Sequence, residues 1–289
     1  MSTEAAQVHP AFEGLVDDAA LFPPGNAPMG EAVEAHVRHR DGPYGAVLGR
    51  FLCPASRLAE LEAALDGRVA AEDDILLGVV VDTGTDGIAE AIETVEADPR
   101  LVLAMVEVPL PADTTDLVGA AKSVVEAMPD LEAYVEIPRR PGWEDALALV
   151  GDSAYGAKLR TGGASADLFP TEDELAAFLG RCVADEVPFK CTAGLHDAIR
   201  HRDPDTGFEH HGFLNILLAT AAAIRYGAGH TDVLNLVRET DGQVLAARFR
   251  SLDLPETVVA RSFFVAYGSC SFDEPIEALT GLDLLEADL

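Results

Sequence analysis

The sequence predicts an α/β fold, a single (β/α)8 TIM barrel over residues 1–289, with a helical insertion between strands seven and eight. Three observations carry this. Short β-rich runs alternate with amphipathic helical stretches along most of the chain, the pattern of βα units around a parallel sheet. Eight such runs fit in 289 residues, a usual length for an eight-stranded barrel. The first strand is followed by Pro23-Pro24-Gly25-Asn26, which is no Gly-rich dinucleotide fingerprint, so a doubly wound open sheet is the weaker reading.

The elements follow in order. Gly14–Phe22 is the first expected strand, closed by Pro23, Pro24 and Gly25, with a helix over Glu31–His39. Gly45–Cys53 is the second, stopped by Pro54, with helix Ser56–Leu65; Ile75–Asp82 is the third, with helix Gly87–Ala97. Leu101–Val108 ends at Pro109 and leads to a helix over Thr115–Met128, whose threonine and aspartate suit a helix start. Leu131–Ile137 ends at Pro138, with helix Trp143–Val150. The stretch Ala154–Asp197 then reads as strand, helix, strand, its helix opened by the capping box Thr171-Glu172-Asp173-Glu174. The rhythm breaks at a polar run, Arg200–His211, followed by an apolar helix, His211–Tyr226, two stretches, Thr231–Glu239 and Gln243–Ser251, and a short helix after Pro255. It resumes with Phe263–Ser269 as strand eight and Phe272–Leu279 as its helix. The segment 200–261 is expected to be an insertion on the catalytic face, a lid. The helix at Phe213–Ile224 is apolar nearly all round, which suits either the core or the interface of a homo-oligomer.

The net charge is −30, from 50 acidic and 20 basic residues. Such a surface excludes nucleic acid, which needs a cationic face, and anionic membrane. It fits a halophilic protein, whose self-repulsion is screened in strong salt. Cys53, Cys182, Cys191 and Cys270 form no CxxC pair and no zinc spacing; Cys53, Cys191 and Cys270 follow or lie in strands, as buried thiols do. MSTEAAQVHP lacks an apolar leader core, and no apolar run is long enough to span a bilayer. The expected location is cytoplasmic.

Catalytic side chains of such barrels stand at the C-terminal strand ends. Those ends carry Asp82, Glu107, Glu136, Lys158 with Arg160, and Lys190 with Thr192. Alternation puts Lys158 and Arg160 on one face with Gly156, and Lys190 with Thr192. The chain holds only one other lysine, Lys122, against 17 arginines. Arginine replaces lysine as a surface charge but never as a neutral amine, so both strand-end lysines are candidate chemical groups. A cation beside a partly desolvated lysine lowers its pKa and frees the amine to attack a carbonyl. Of the adjacent Asp17 and Asp18, at most one faces the barrel. His196, after strand seven, is a candidate acid/base or substrate ligand.

Around these lysines the chain resembles the class I (Schiff-base) aldolases, deoxyribose-phosphate aldolase-like barrels above all. The family carries Lys-Thr-Ser-Thr-Gly on strand six; here Lys158-Leu159-Arg160-Thr161-Gly162 matches at the lysine, the threonine and the glycine. Its strand-seven Lys-x-x-Gly-Gly is represented by Lys190-Cys191-Thr192-Ala193-Gly194, with one glycine. Its Gly-x-Ser-Ser resembles Gly268-Ser269-Cys270-Ser271. The resemblance implies that Lys158 forms the imine, that Lys190 tunes it, that Glu107 stands for an acid on strand four that relays protons, and that Gly268, Ser269 and Ser271 contribute to phosphate binding. Arg160, Thr192 and His196 complete the expected binding set. The substrate would be a small carbonyl compound, with no cofactor.

Two other readings stand beside this one. Asp82, Glu107 and Glu136 could bind Mg2+ or another divalent metal in an enolase-like lyase or isomerase, with Lys158 or Lys190 as base. The barrel could also be a ligand-binding protein without catalysis.

Overall fold

A computed structural model describes residues 6–69, 73–111 and 113–286. Ten strands are formed among the described residues: β1 (Val16–Asp18), β2 (Leu48–Pro54), β3 (Ile75–Val80), β4 (Leu101–Pro109), β5 (Ala133–Glu136), β6 (Gly156–Arg160), β7 (Phe189–Thr192), β8 (His201–Arg202), β9 (Glu209–His210) and β10 (Phe264–Ser269). Eight of them close into a barrel in the order β1-β10-β7-β6-β5-β4-β3-β2, and every pairing in it is parallel. The eighth strand of the sequence reading is thus β10. The other two strands form a separate antiparallel ribbon.

The helices are α1 (Met29–Arg40), α2 (Leu58–Leu65), α3 (Ile88–Ala97), α4 (Leu117–Ala127), α5 (Trp143–Gly151), α6 (Glu172–Ala184), α7 (Phe213–Tyr226), α8 (Thr231–Arg238), α9 (Gly242–Arg250), α10 (Leu254–Phe263) and α11 (Asp273–Gly281). The capping box forms at α6, where Thr171 accepts from the Glu174 amide and Glu174 reaches back to the Thr171 amide. Among the described residues no helix is long and apolar enough to cross a membrane.

Two apolar regions follow from strand alternation. Residues facing outward, such as Val135, Ala157, Leu159, Phe189 and Cys191, join the helices in the main core. Ala19, Leu52, Met105 and Tyr134 form a second, small cluster. Gly156 makes room for it, since a Cβ there would lie 2.5 Å from the Tyr134 ring.

Two expectations change. The first strand shrinks from Gly14–Phe22 to three residues, because Asp18 accepts the Ala20 amide and the chain turns there. The segment 200–261 is not one lid. Helix α7 is buried along most of its length, and Phe213 stacks on Tyr267 of β10 with ring centroids 5.2 Å apart. It therefore belongs to the outer helix layer. The end of α10 reaches the other face of the barrel, where Arg261 donates to the Glu13 carbonyl ahead of β1. The β8–β9 ribbon borders the mouth: His210 packs on Phe169 at 4.6 Å, and Phe169 touches the positions of Gly162 and Gly194 that follow β6 and β7.

Candidate active site

Lys158 and Lys190 are register partners on neighbouring strands. What joins them is a carboxylate. Glu107 accepts from Lys158 Nζ through Oε2 at 2.5 Å and from Lys190 Nζ through Oε1 at 2.7 Å. In the barrel order β5 and β6 separate β4 from β7, so these bonds can only cross the interior. Glu136 is the second acid on Lys158, at 3.1 Å. Lys190 is held from the other side by Asp17 and lies 3.1 Å from the Met105 sulfur, with its charge 5.4 Å from the Tyr134 ring centroid. Asp17 in turn accepts the Arg50 amide at 2.7 Å.

The adjacent aspartates divide as alternation requires. Asp17 points into the barrel, whereas Asp18 faces α1 and pairs with buried His36 at 3.0 Å. Asp17 is the member of this network that sequence reasoning did not place among the site residues. The signal was the alternation itself, which lets one of the pair face inward beside the last strand but does not say which; the pairing of β1 with β10 sets that phase.

The electrostatics correct one expectation. The sequence reading has Lys190 lowering the pKa of Lys158 by charge repulsion. Burial does push Lys158 down, but Glu107 and Glu136 outweigh it and hold Lys158 above its usual value. Burial likewise pushes Glu107 up, and the charges of Lys158 and Lys190 outweigh it, leaving Glu107 at about 2. Glu136 is also lowered: burial opposes the shift, and Lys158 and Arg160 drive it. Lys158, Glu107 and Glu136 are therefore each shifted toward their charged forms. The lysines are screened from each other by the acid between them.

Access separates the two lysines. Lys190 is 0% exposed and Lys158 is 5% exposed. Arg160 is exposed and donates to Glu136 at 3.0 Å. Thr192 lies beyond Lys190 on β7, level with Gly268 of β10. Thr161, buried, donates to the Thr192 and Ala193 carbonyls at 3.1 and 2.6 Å and so ties the two loops together. Ala193 has φ 63° and Gly194 φ 73°. The family motif has glycine where Ala193 stands, and a left-handed alanine costs about 1–2 kcal/mol. The tight turn lets Gly194 approach Gly162, where a Cβ would come within 2.8 Å of the Gly194 Cα.

Other predicted residues lie elsewhere. Asp82 is exposed at the rim and holds Ser56, accepting its amide at 2.9 Å and its hydroxyl at 2.5 Å. It does not meet Glu107 or Glu136, and among the described residues no three His, Cys, Asp or Glu side chains gather as a metal site. Lys158 already lies between the other two acids, so the trio does not fit a divalent ion. Ser269 donates to the Ser271 carbonyl at 2.6 Å, within its own turn, and the Ser271 hydroxyl accepts the Glu274 amide at 3.3 Å. His196 is not with the lysines; it sits by Cys270 and Glu274. Cys270 is itself only partly buried, unlike the other three cysteines, which corrects its reading as a core thiol.

Comparison of the chain with protein families, curated proteins and solved structures finds no match. The parallel eight-stranded barrel rests on the strand pairings above, and the likeness to Schiff-base aldolases on the short motifs alone.

Proposed function

We propose that the protein is a lyase of aldolase type, which holds a small carbonyl compound as a Schiff base on Lys158. The observation that carries this reading is the single carboxylate shared by two barrel lysines, of which Lys158 is the less deeply buried. Lys158 passes a proton to Glu107 across their 2.5 Å contact. The neutral amine adds to the carbonyl carbon while the C=O π pair moves to oxygen, and one of the nitrogen's protons passes to that oxygen to give a carbinolamine; the proton on Glu107 then goes to this hydroxyl, which leaves as water as the C=N bond forms. Lys190 and Asp17 keep Glu107 in place between these steps. The protonated imine then draws electrons from the adjacent C–C bond.

Borohydride reduction in the presence of a panel of aldehydes and 2-oxo acids, followed by peptide mass spectrometry, tests the reading. One reduced adduct on Lys158 is expected, with none in Lys158→Arg. Label on Lys190 would reverse the roles, and no label with any compound refutes the imine. A second reading has one observation in its favour: Lys158 is paired with two acids and held protonated, as in a purely structural ionic core of a ligand-binding barrel. That reading predicts no adduct at all.

A further inference from the structure

Away from the lysines, the C-terminal rim carries three side chains in line. Cys270 follows β10, and its Sγ lies 3.7 Å from His196 Nε2, within hydrogen-bond reach for sulfur. The other ring nitrogen, Nδ1, lies 2.7 Å from Glu274 Oε2 in the first turn of α11. Nucleophile, base and orienting acid thus come from three places: the end of β10, the loop after β7 and the start of α11. The same loop holds the left-handed Ala193, and backbone strain of this kind collects at working sites. Cys53, Cys182 and Cys191 are buried, and burial pushes their thiols up, to about 12 for Cys53. No second accessible thiol stands by to form a disulfide, so the cluster is suited to addition chemistry rather than disulfide exchange.

We propose that Cys270, His196 and Glu274 form a second covalent site at the barrel mouth, a thiol that adds reversibly to aldehydes. The Cys270 proton moves to His196 Nε2, and the Glu274 carboxylate, in ion-pair contact with Nδ1, steadies the imidazolium by its charge. The thiolate forms a C–S bond to the carbonyl carbon while the C=O π pair moves to oxygen. His196 returns its proton to that oxygen, giving a neutral thiohemiacetal; no leaving group, oxidant or reductant is consumed. The pairing is supported by the direction of the His196 shift, which the Cys270 contact and Glu274 raise against burial. The titratable groups acting on His196 are Cys270 and Glu274; on the ribbon, His210 is lowered by burial first and then by its neighbours, His201 and His196 among them. The site does not depend on an imine at Lys158, and its test reads sulfur alone.

Alkylation by iodoacetamide, followed by peptide mass spectrometry between pH 5.5 and 9, decides it. An unassisted thiol is only about 1% thiolate two units below its ordinary pKa. The wild-type Cys270 peptide is therefore expected to label near pH 6.5 about tenfold faster than in His196→Asn, with Glu274→Gln between the two. Peptides of Cys53, Cys182 and Cys191 report folding, because they label only if a variant opens. Equal rates in wild type and His196→Asn, with those three still protected, overturn the proposal. Glycolaldehyde is expected to slow Cys270 alkylation in wild type and in Lys158→Arg alike. No protection in either overturns the aldehyde assignment, and protection lost in Lys158→Arg shows the effect to be one of the lysine.

Discussion

Replacing Lys190 by methionine is the sharpest test of the interior charge network. The side chain is 0% exposed, and its ammonium touches Asp17, Glu107 and Met105. Methionine fills much the same volume beside Met105 but leaves two buried acids short of a cation. Glu107 keeps Lys158 at 2.5 Å, and Asp17 keeps the Arg50 amide at 2.7 Å and its guanidinium at 3.8 Å. Breaking one partner of a buried ion pair costs about 3–5 kcal/mol. With an unfolding entropy of about 2.1 cal/mol/K per residue, 289 residues give roughly 0.6 kcal/mol/K, so Tm should fall by about 5–8 °C at pH 7. The pH dependence follows from the sign of the Glu107 shift. Its folded pKa, about 2, lies below its ordinary 4.5, so its contribution is present above pH 4.5 and is lost as pH falls through 2. At 1.36 kcal/mol per unit that contribution is about 3 kcal/mol. In Lys190→Met the shift is smaller, so the deficit against wild type should narrow as pH falls below about 4.5. Adding Glu107→Gln should restore part of the loss, with a coupling above about 1 kcal/mol. Melts by circular dichroism at pH 7 and at about pH 2.5, between the two pKa values of Glu107, decide this. A loss under about 1 kcal/mol at pH 7, or a deficit independent of pH, would refute a desolvated network.

Two further outcomes are expected. Gly156→Ala places a Cβ against Tyr134 and the Pro188 carbonyl and should cost about 1–3 kcal/mol by overpacking, read from urea midpoints; an unchanged midpoint would mean the interior is looser than described. The net charge of −30 should make Tm rise between low salt and molar KCl as repulsion is screened; a Tm that is flat or falling in salt would remove the halophilic reading.

The barrel was legible because each strand announces its two faces. Ala157 and Leu159 face the helices and Gly156 and Lys158 the interior, as alternation in Gly-Ala-Lys-Leu-Arg implies. How much of 200–261 borders the mouth was not legible, for a physical reason. A helix apolar nearly all round reads alike whether it covers a mouth or fills the outer layer, and only the stacking of Phe213 on Tyr267 decides. The site was half legible. Parity brought the two lysines together, but contacts between β4 and β7 depend on barrel closure, which no local pattern encodes. That is why Glu107 was assigned to proton relay from the resemblance while its bonds to both lysines, which reverse the expected Lys158 shift, could not be anticipated. Asp82 misled because a strand-end acid can equally pin a neighbouring turn, as it does by holding the Ser56 amide and hydroxyl in the turn after β2.

The scarcity of lysine now admits two causes, and the two positions separate them. Lys122, the third lysine, is exposed and pairs loosely with Glu126 at 3.8 Å, so it is merely a surface charge. At Lys190 a compact ammonium is needed for its size: three partners crowd one nitrogen inside a closed barrel. A guanidinium keeps the charge but not the fit, so Lys190→Arg should destabilise by about 1–3 kcal/mol through overpacking, rather than serving as the harmless swap that a purely electrostatic tuner would allow. Lys158 stands nearer the mouth with Arg160 beyond it on the same face. Arginine there keeps a cation beside Glu107 and Glu136, so Lys158→Arg should lose less stability than Lys190→Arg and yet form no borohydride adduct, since it cannot supply a neutral amine. Stability and trapping measured on the same two variants therefore read fit and chemistry independently. If Lys158→Arg loses as much stability as Lys190→Arg, and the wild type forms no adduct, both lysines were retained for packing, and the Schiff base has no remaining support.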